Sequence, residues 1–234
     1  MLLDLVKNIG GIITSPGKTL GNLMQAKNWL PIFILILLAV CVHSNIVLPA
    51  KMAETAENSW IPDYFPGEQL PDFQAGITLT KRILVTAAAL LEVSLALIIG
   101  AFLVYLFFGI GGAEGYYIHF FSLVVGASII DTLLPIVRDA LSLVLNSNLA
   151  AFTNLSGLFP AVNPQSLGFW FFSQVDLFVI WYLAALAAGV AVFAKMRFSR
   201  CLFISFLYFV CRSLAAAFFS YLGVKIISAL LPHV

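Results

Sequence analysis

The chain has 234 residues, 62% of them hydrophobic and only 10% charged, with twelve Lys and Arg against eleven Asp and Glu. A mean hydropathy of +1.03 excludes a water-soluble domain of this size, and continuous apolar runs exclude a membrane β-barrel, whose strands alternate apolar and polar residues. The class expected is an all-α polytopic membrane protein, and a net charge of +1, with no basic cluster among aromatics, gives no footing for nucleic acid as a partner.

Residues 1–14 place Leu2, Leu5, Val6, Ile9, Ile12 and Ile13 on one helical face, with Asp4, Lys7 and Asn8 opposite. That is the pattern of a helix lying on a membrane surface, weakened by about 1 kcal/mol at each of Gly10 and Gly11. Ser15-Pro16 reads as an N-cap followed by proline in the first turn, opening a second short helix through Gln25. Residues 1–28 are thus expected as amphipathic helices on the cytoplasmic side. A cleavable signal peptide is not expected, because the apolar run starts near residue 29 and is too long.

Five transmembrane helices are predicted, at about 29–48, 83–108, 116–137, 169–194 and 201–223. The first carries His43, Ser44 and Asn45 toward its far end. Residues 50–80 form an extracytoplasmic polar loop in which Pro62, Pro66 and Pro71 forbid a long helix. Its acids, Glu54, Glu57, Asp63, Glu68 and Asp72, lack calcium-loop spacing and read as a solvated surface. The second span ends in the Gly-rich turn 109–115, which follows a helix and not a strand, so a nucleotide site is rejected. Arg138-Asp139 closes the third span, and residues 141–166 read as amphipathic and interfacial or re-entrant. The fourth span contains Asp176, and the basic hinge 195–200 leads into the fifth, beyond which Lys225 snorkels outward. Five spans put Lys7, Lys18, Lys27, Lys195, Arg197 and Arg200 on one side, against Lys51, Lys81, Arg82, Arg138 and Lys225 on the other. This balance leans to a cytoplasmic N-terminus.

Four ionisable residues sit away from the span ends: Glu92, Asp131, Asp176 and Arg212. By helical rise the acids lie about 14, 9 and 10 Å from the outer ends of their helices, and Arg212 about 17 Å from the cytoplasmic end. Small residues flank them, Ala88, Ala96 and Gly100 around Glu92 and Ala184, Ala187 and Ala191 on the Asp176 helix, so these faces are expected to point inward and meet. Pro135 frees the carbonyl of Asp131. Intramembrane charges read either as an ion relay or substrate site, or as an Arg–carboxylate joint holding helices in register.

No enzyme, cofactor or metal site is expected. His43, His119 and His233 are too scattered for a ligand pair, and Cys41, Cys201 and Cys211 read as packing thiols. Gly126-Ala127-Ser128 lacks the closing glycine of an intramembrane serine nucleophile, and His119 is too far along the helix to be its base. The sequon at Asn154 is weak.

Three segments carry a family likeness: SPGKTLGNLMQAKNWLPIFIL (15–35), NLAAF (148–152) and VDLFVIWYLAALAAGVAVFAKMRFSRCLF (175–203). Together they resemble the Yip family, the Ypt/Rab-interacting membrane proteins, in its bacterial branch. The last segment is similar to that family's penultimate span, an Asp-x-Phe-x-x-Trp pattern followed by small residues and a basic hinge. The resemblance implies a five-helix membrane domain in the bacterial inner membrane with a cytosolic N-terminus. It marks Pro16, Trp29, Pro31, Asp176, Phe178 and Trp181 as family-defining residues, not catalytic ones. Eukaryotic relatives contact small GTPases largely through long N-terminal regions, and about 28 residues precede the first span here, so that role does not carry over. The function expected is non-enzymatic binding of lipids or protein partners, or membrane organisation. Expected partners are the bilayer and a second copy or another membrane protein. The alternative is a small transporter or proton-coupled permease using the embedded carboxylates.

Overall fold

Where the sequence keeps apolar residues running for about twenty positions, the chain forms helices long enough to cross a hydrocarbon core. The structure is a computed structural model describing residues 2–47, 49, 79–145, 149, 153, 155, 168, 171, 172 and 174–230. Its elements are all helical. They are α1 (Leu2–Thr14), α2 (Pro16–Ala26), α3 (Leu30–Val42) continued by a π-helical turn at His43–Val47, and α4 (Leu79–Ile110). Then come α5 (Tyr117–Ser128), a second π-helical turn at Ile129–Leu133, α6 (Leu134–Leu145), α7 (Leu177–Phe193) and α8 (Phe198–Leu230). Among the described residues, four helices are long and apolar enough to cross a membrane: Leu30–Val47, Arg82–Ile110, Tyr117–Leu145 and Phe198–Phe218. α7 is apolar but shorter, at 17 residues.

Neighbouring long helices run antiparallel. Leu123 lies beside Gly189, and Arg138 reaches Asp176, so α5–α6 descends along α7 as α7 ascends. Tyr105 packs edge-on against Tyr117 and Phe120, and the Tyr117 hydroxyl donates to the Ile98 carbonyl at 3.1 Å, fixing α4 against α5. Phe107 meets Tyr208, which does the same for α4 and α8. The end of the bundle holding the 109–116 turn and the 194–197 hinge is termed proximal, and the opposite end distal. Gly112, at φ +83°, supplies the left-handed residue that reverses the chain between α4 and α5. Distally, Asn45 Nδ2 donates to Thr86 Oγ1 at 2.8 Å.

Three expectations are corrected. The helix that was to close at Arg138-Asp139 continues to Leu145, because no breaker separates Ile136 from the apolar run LSLVL. Asp176 is not inside a helix: its backbone is extended, and α7 begins after it. The N-terminal helices form, but the apolar side of α2 and the end of α1 are packed into the bundle. Ile12, Leu20 and Met24 are fully buried and Leu23 nearly so. Cys201 is buried as a packing thiol, whereas Cys211 is exposed. Loop 51–78 and most of 146–173 lie outside the described residues.

α2 sits between α5 and α7, and glycines make that approach. A Cβ on Gly189 would lie 2.6 Å from Leu123 Cδ1 and 2.9 Å from Leu20 Cβ; one on Gly126 would lie 2.8 Å from Leu20 Cδ2. The Gly126 contact falls about 14 Å along α5 from Tyr117. Leu20 Cβ cannot swing aside as a side-chain tip could. Gly189→Ala should therefore lower the melting temperature of the purified protein, at a cost of about 1–3 kcal/mol. Gly10→Ala, whose added Cβ meets nothing within 4 Å, should hold stability or raise it by up to about 1 kcal/mol. A Gly189→Ala melting curve at or above wild type would mean that α2 does not press on α7.

Candidate functional site

Pro135 has no N–H, and its ring crowds the carbonyl of Asp131. The helix widens to accommodate it, as a π-helical turn over Ile129–Leu133 closed by the Leu134 N–H on the Ile129 carbonyl. Such turns recur at functional sites, and this one carries Asp131. Asp131 Oδ2 stands 3.7 Å from Arg212 Nη1 of α8, with the two side chains 11% and 44% exposed. Thr132 Oγ1 donates to Asp131 Oδ1 at 3.3 Å. Around the pair is a cavity of about 250 Å³, walled by Val93, Ala96 and Gly100 of α4, by Ser128 and Thr132, and by Tyr182 and Tyr208 from α7 and α8. One turn proximal on α8, the Ser205 hydroxyl is buried with no hydrogen-bond partner among the described residues.

A second polar cluster is built differently. Asp176 caps the N-terminus of α7, its Oδ1 accepting from the Phe178 N–H at 2.9 Å. Its Oδ2 accepts from Arg138 Nη1 at 2.9 Å and from Thr153 Oγ1 at 3.1 Å. Arg138 Nη1 also donates to Thr153 at 2.6 Å, Nε to Asp139 at 3.2 Å, and the guanidinium lies 5.8 Å over the Phe178 ring. Both side chains are nearly covered, at 15% and 13% exposed. His43 Nε2 stands 3.5 Å from Asp139 Oδ2, close enough for an ion pair though without hydrogen-bond geometry. This short, multiply bonded cluster ties α3, α6, the segment at Thr153 and α7 at the distal end.

The four embedded ionisable residues thus fall into separate places. Asp131 and Arg212 pair, and Asp176 belongs with Arg138, seven residues and about 10 Å further along the same helix. Glu92 is exposed on α4 beside Val93 of the cavity wall, and no described hydrogen bond or ion pair includes it. The motif residues take structural positions. Pro16 and Pro31 lie in the first turns of α2 and α3. Trp29 packs edge-on to Phe121 at 4.9 Å. Phe178 lies under Arg138, and Trp181 is half-buried against the core.

Sequence reasoning missed Arg138, Thr153, Tyr182 and Thr132. For Arg138 a signal existed: an Asp immediately before an apolar run is an N-cap pattern, which moves Asp176 to the helix end where Arg138 also lies. Among the described residues no three His, Cys, Asp or Glu side chains gather as a metal ligand set. No family model, curated protein or solved structure matches the chain.

Proposed function

We propose that the protein is a non-enzymatic multi-pass membrane protein that binds a membrane-borne ligand at the Asp131–Arg212 cavity. The observation that carries this is the contrast between the two charge pairs. Arg138–Asp176 is short, covered and saturated, as a joint should be. Asp131–Arg212 is loose, half open and surrounded by hydroxyls, with donors left over. An arginine within a span costs about 2.5–3.5 kcal/mol on insertion scales, so leaving it half exposed calls for polar material to cover it.

In this reading α7 is the fourth of the five crossings of a Yip-like domain, and α1–α2 enters the bundle from the proximal side. The exposed residues Lys18, Lys27, Lys195, Arg197 and Arg200 support a cytoplasmic proximal face. A bacterial inner-membrane location rests on the family likeness.

The test is thermal melting of the detergent-purified protein with and without a mixed bacterial phospholipid extract. A ligand at one hundred times its Kd adds about 2.7 kcal/mol, which for a chain of this length is about 5–10 °C. Arg212→Gln should remove that gain and shift the lipid-free melting temperature much less. Equal gains in both proteins would take the cavity out of the function. The carboxylate on a π-helical turn favours one second reading, a small transporter; solute uptake into proteoliposomes abolished by Asp131→Asn would assign it.

A further inference from the structure

We infer that the Asp131–Arg212 cavity takes the headgroup of a zwitterionic phospholipid bearing a primary ammonium, drawn sideways from the distal leaflet. This rests on the cavity being the binding site, and it names the ligand's chemistry.

The first argument is valence. A guanidinium offers five N–H donors and a carboxylate about four acceptor sites, and one contact at 3.7 Å joins Arg212 to Asp131. A phosphate accepts two parallel bonds from a guanidinium. A primary ammonium donates three, enough for Asp131 and the hydroxyl oxygens of Thr132 and Tyr182 beside it. A trimethylated ammonium has no N–H to give.

The second is charge. One carboxylate and one guanidinium sum to zero, and a ligand of net charge would leave an unbalanced charge in a low-dielectric site, where solvation loss is large. A zwitterion keeps the sum at zero while replacing one loose ion pair by two saturated ones.

The third is place and size. Asp131 lies seven residues, about 10 Å, from Arg138 in the distal polar cluster, and Tyr182 five residues, about 8 Å, after Leu177 at the distal start of α7, so a distal headgroup sinks about a third of a core about 30 Å thick. Ile99 lines the cavity and is 54% exposed, so the cavity opens on the lipid-facing side between α4 and α8. Leu95, one turn from Ile99 on α4, is exposed there, which leaves apolar surface for acyl chains. At about 250 Å³ the cavity has the space of about eight waters, enough for a headgroup of the size of phosphoethanolamine.

The experiment is native mass spectrometry of the full-length protein with dioleoyl phosphatidylethanolamine, phosphatidylcholine, phosphatidylglycerol and diacylglycerol in competition, and with chain-free phosphoethanolamine. The ethanolamine lipid should be retained about tenfold or more over the others, the range expected for hydrogen bonds to charged groups. Asp131→Asn should erase the preference over phosphatidylcholine, and Arg212→Gln the preference over diacylglycerol. The double variant Asp131→Asn/Arg212→Gln keeps the net charge and leaves no unpaired charge behind, so it reports on headgroup preference even if a single variant fails to fold. Arg200→Gln, on the proximal face, should change nothing. Equal retention of phosphatidylcholine or phosphatidylglycerol, or a preference surviving the double variant, overturns the inference. Phosphoethanolamine binding as tightly as the lipid overturns the membrane route and leaves the cavity a binding site. No headgroup preference, together with no stabilisation by lipid extract, removes both.

Discussion

Arg138→Leu should be the most damaging loss of a charge in the bundle, lowering stability by about 3–5 kcal/mol. For a chain of this length that is a fall in melting temperature of about 6–20 °C. The cost arises less from the bonds removed than from what they leave behind. Asp176, only 13% exposed, would be left with the Phe178 N–H and Thr153 hydroxyl as partners and no cation in contact. The Phe178 ring would also lose the guanidinium stacked over it. Asp176→Asn is milder, about 1–3 kcal/mol, because an amide oxygen can still accept from Phe178 and Arg138 keeps Asp139 at 3.2 Å. Arg212→Gln should cost less than Arg138→Leu, since the guanidinium it removes stands 3.7 Å from Asp131 and is 44% exposed, and a glutamine amide can still donate there. Thermal melting of the three variants in one detergent checks the order. Arg212→Gln falling furthest would move the structural joint to Asp131 and undo the division into a joint and a site.

The long helices were legible because membrane crossing needs only length and apolarity, and runs such as 83–108 and 201–223 supply both without reference to neighbours. The ends were less so. Asp176 reads as an embedded acid when the whole stretch 169–194 is taken as one span, and as a cap when the span starts at Leu177; only the extended backbone before α7 decides. Small residues around Glu92 suggested an inward face, yet the helix is long enough to present Ala88, Glu92 and Ala96 outward while Leu97, Ala101 and Val104 face the core. The pairing of Asp131 with Arg212 was open to reasoning from depth, since both counts placed them in the same half of the bundle. Tyr182 was not, because nothing in a uniformly apolar run shows which aromatic faces a neighbour's carboxylate. The N-terminal helices show the limit most plainly. A helix adsorbed on lipid and a helix packed in a bundle carry the same apolar stripe, and the stripe was assigned to lipid. The discriminating signal was Gly17-x-x-x-Gly21, the small-residue spacing of close helix packing, which in the structure faces Ala188 and Val192.

Leu20→Asp should abolish the folded state altogether. Leu20 is fully buried where α2 crosses Gly126 and Gly189, so the new carboxylate would have no water and no cation, a cost of several kcal/mol. Leu20→Ala isolates the packing part, about 2–5 kcal/mol for a leucine removed from a closed core. Within a bilayer the lower end applies, because lipid tails are as apolar as the side chain and the loss is van der Waals contact and cavity rather than transfer from water. Asn22→Asp, on the exposed side of the same helix, should stay within about 0.5 kcal/mol of wild type. The measurements are the yield of monodisperse protein and its melting temperature. The two geometries of α2 give opposite results: on a membrane surface, Leu20→Asp loosens adsorption and leaves the bundle's melting curve where it was, and Asn22 and Leu20 differ little. Packed between α5 and α7, the helix is part of what melts, and two residues half a turn apart differ by the whole stability of the protein.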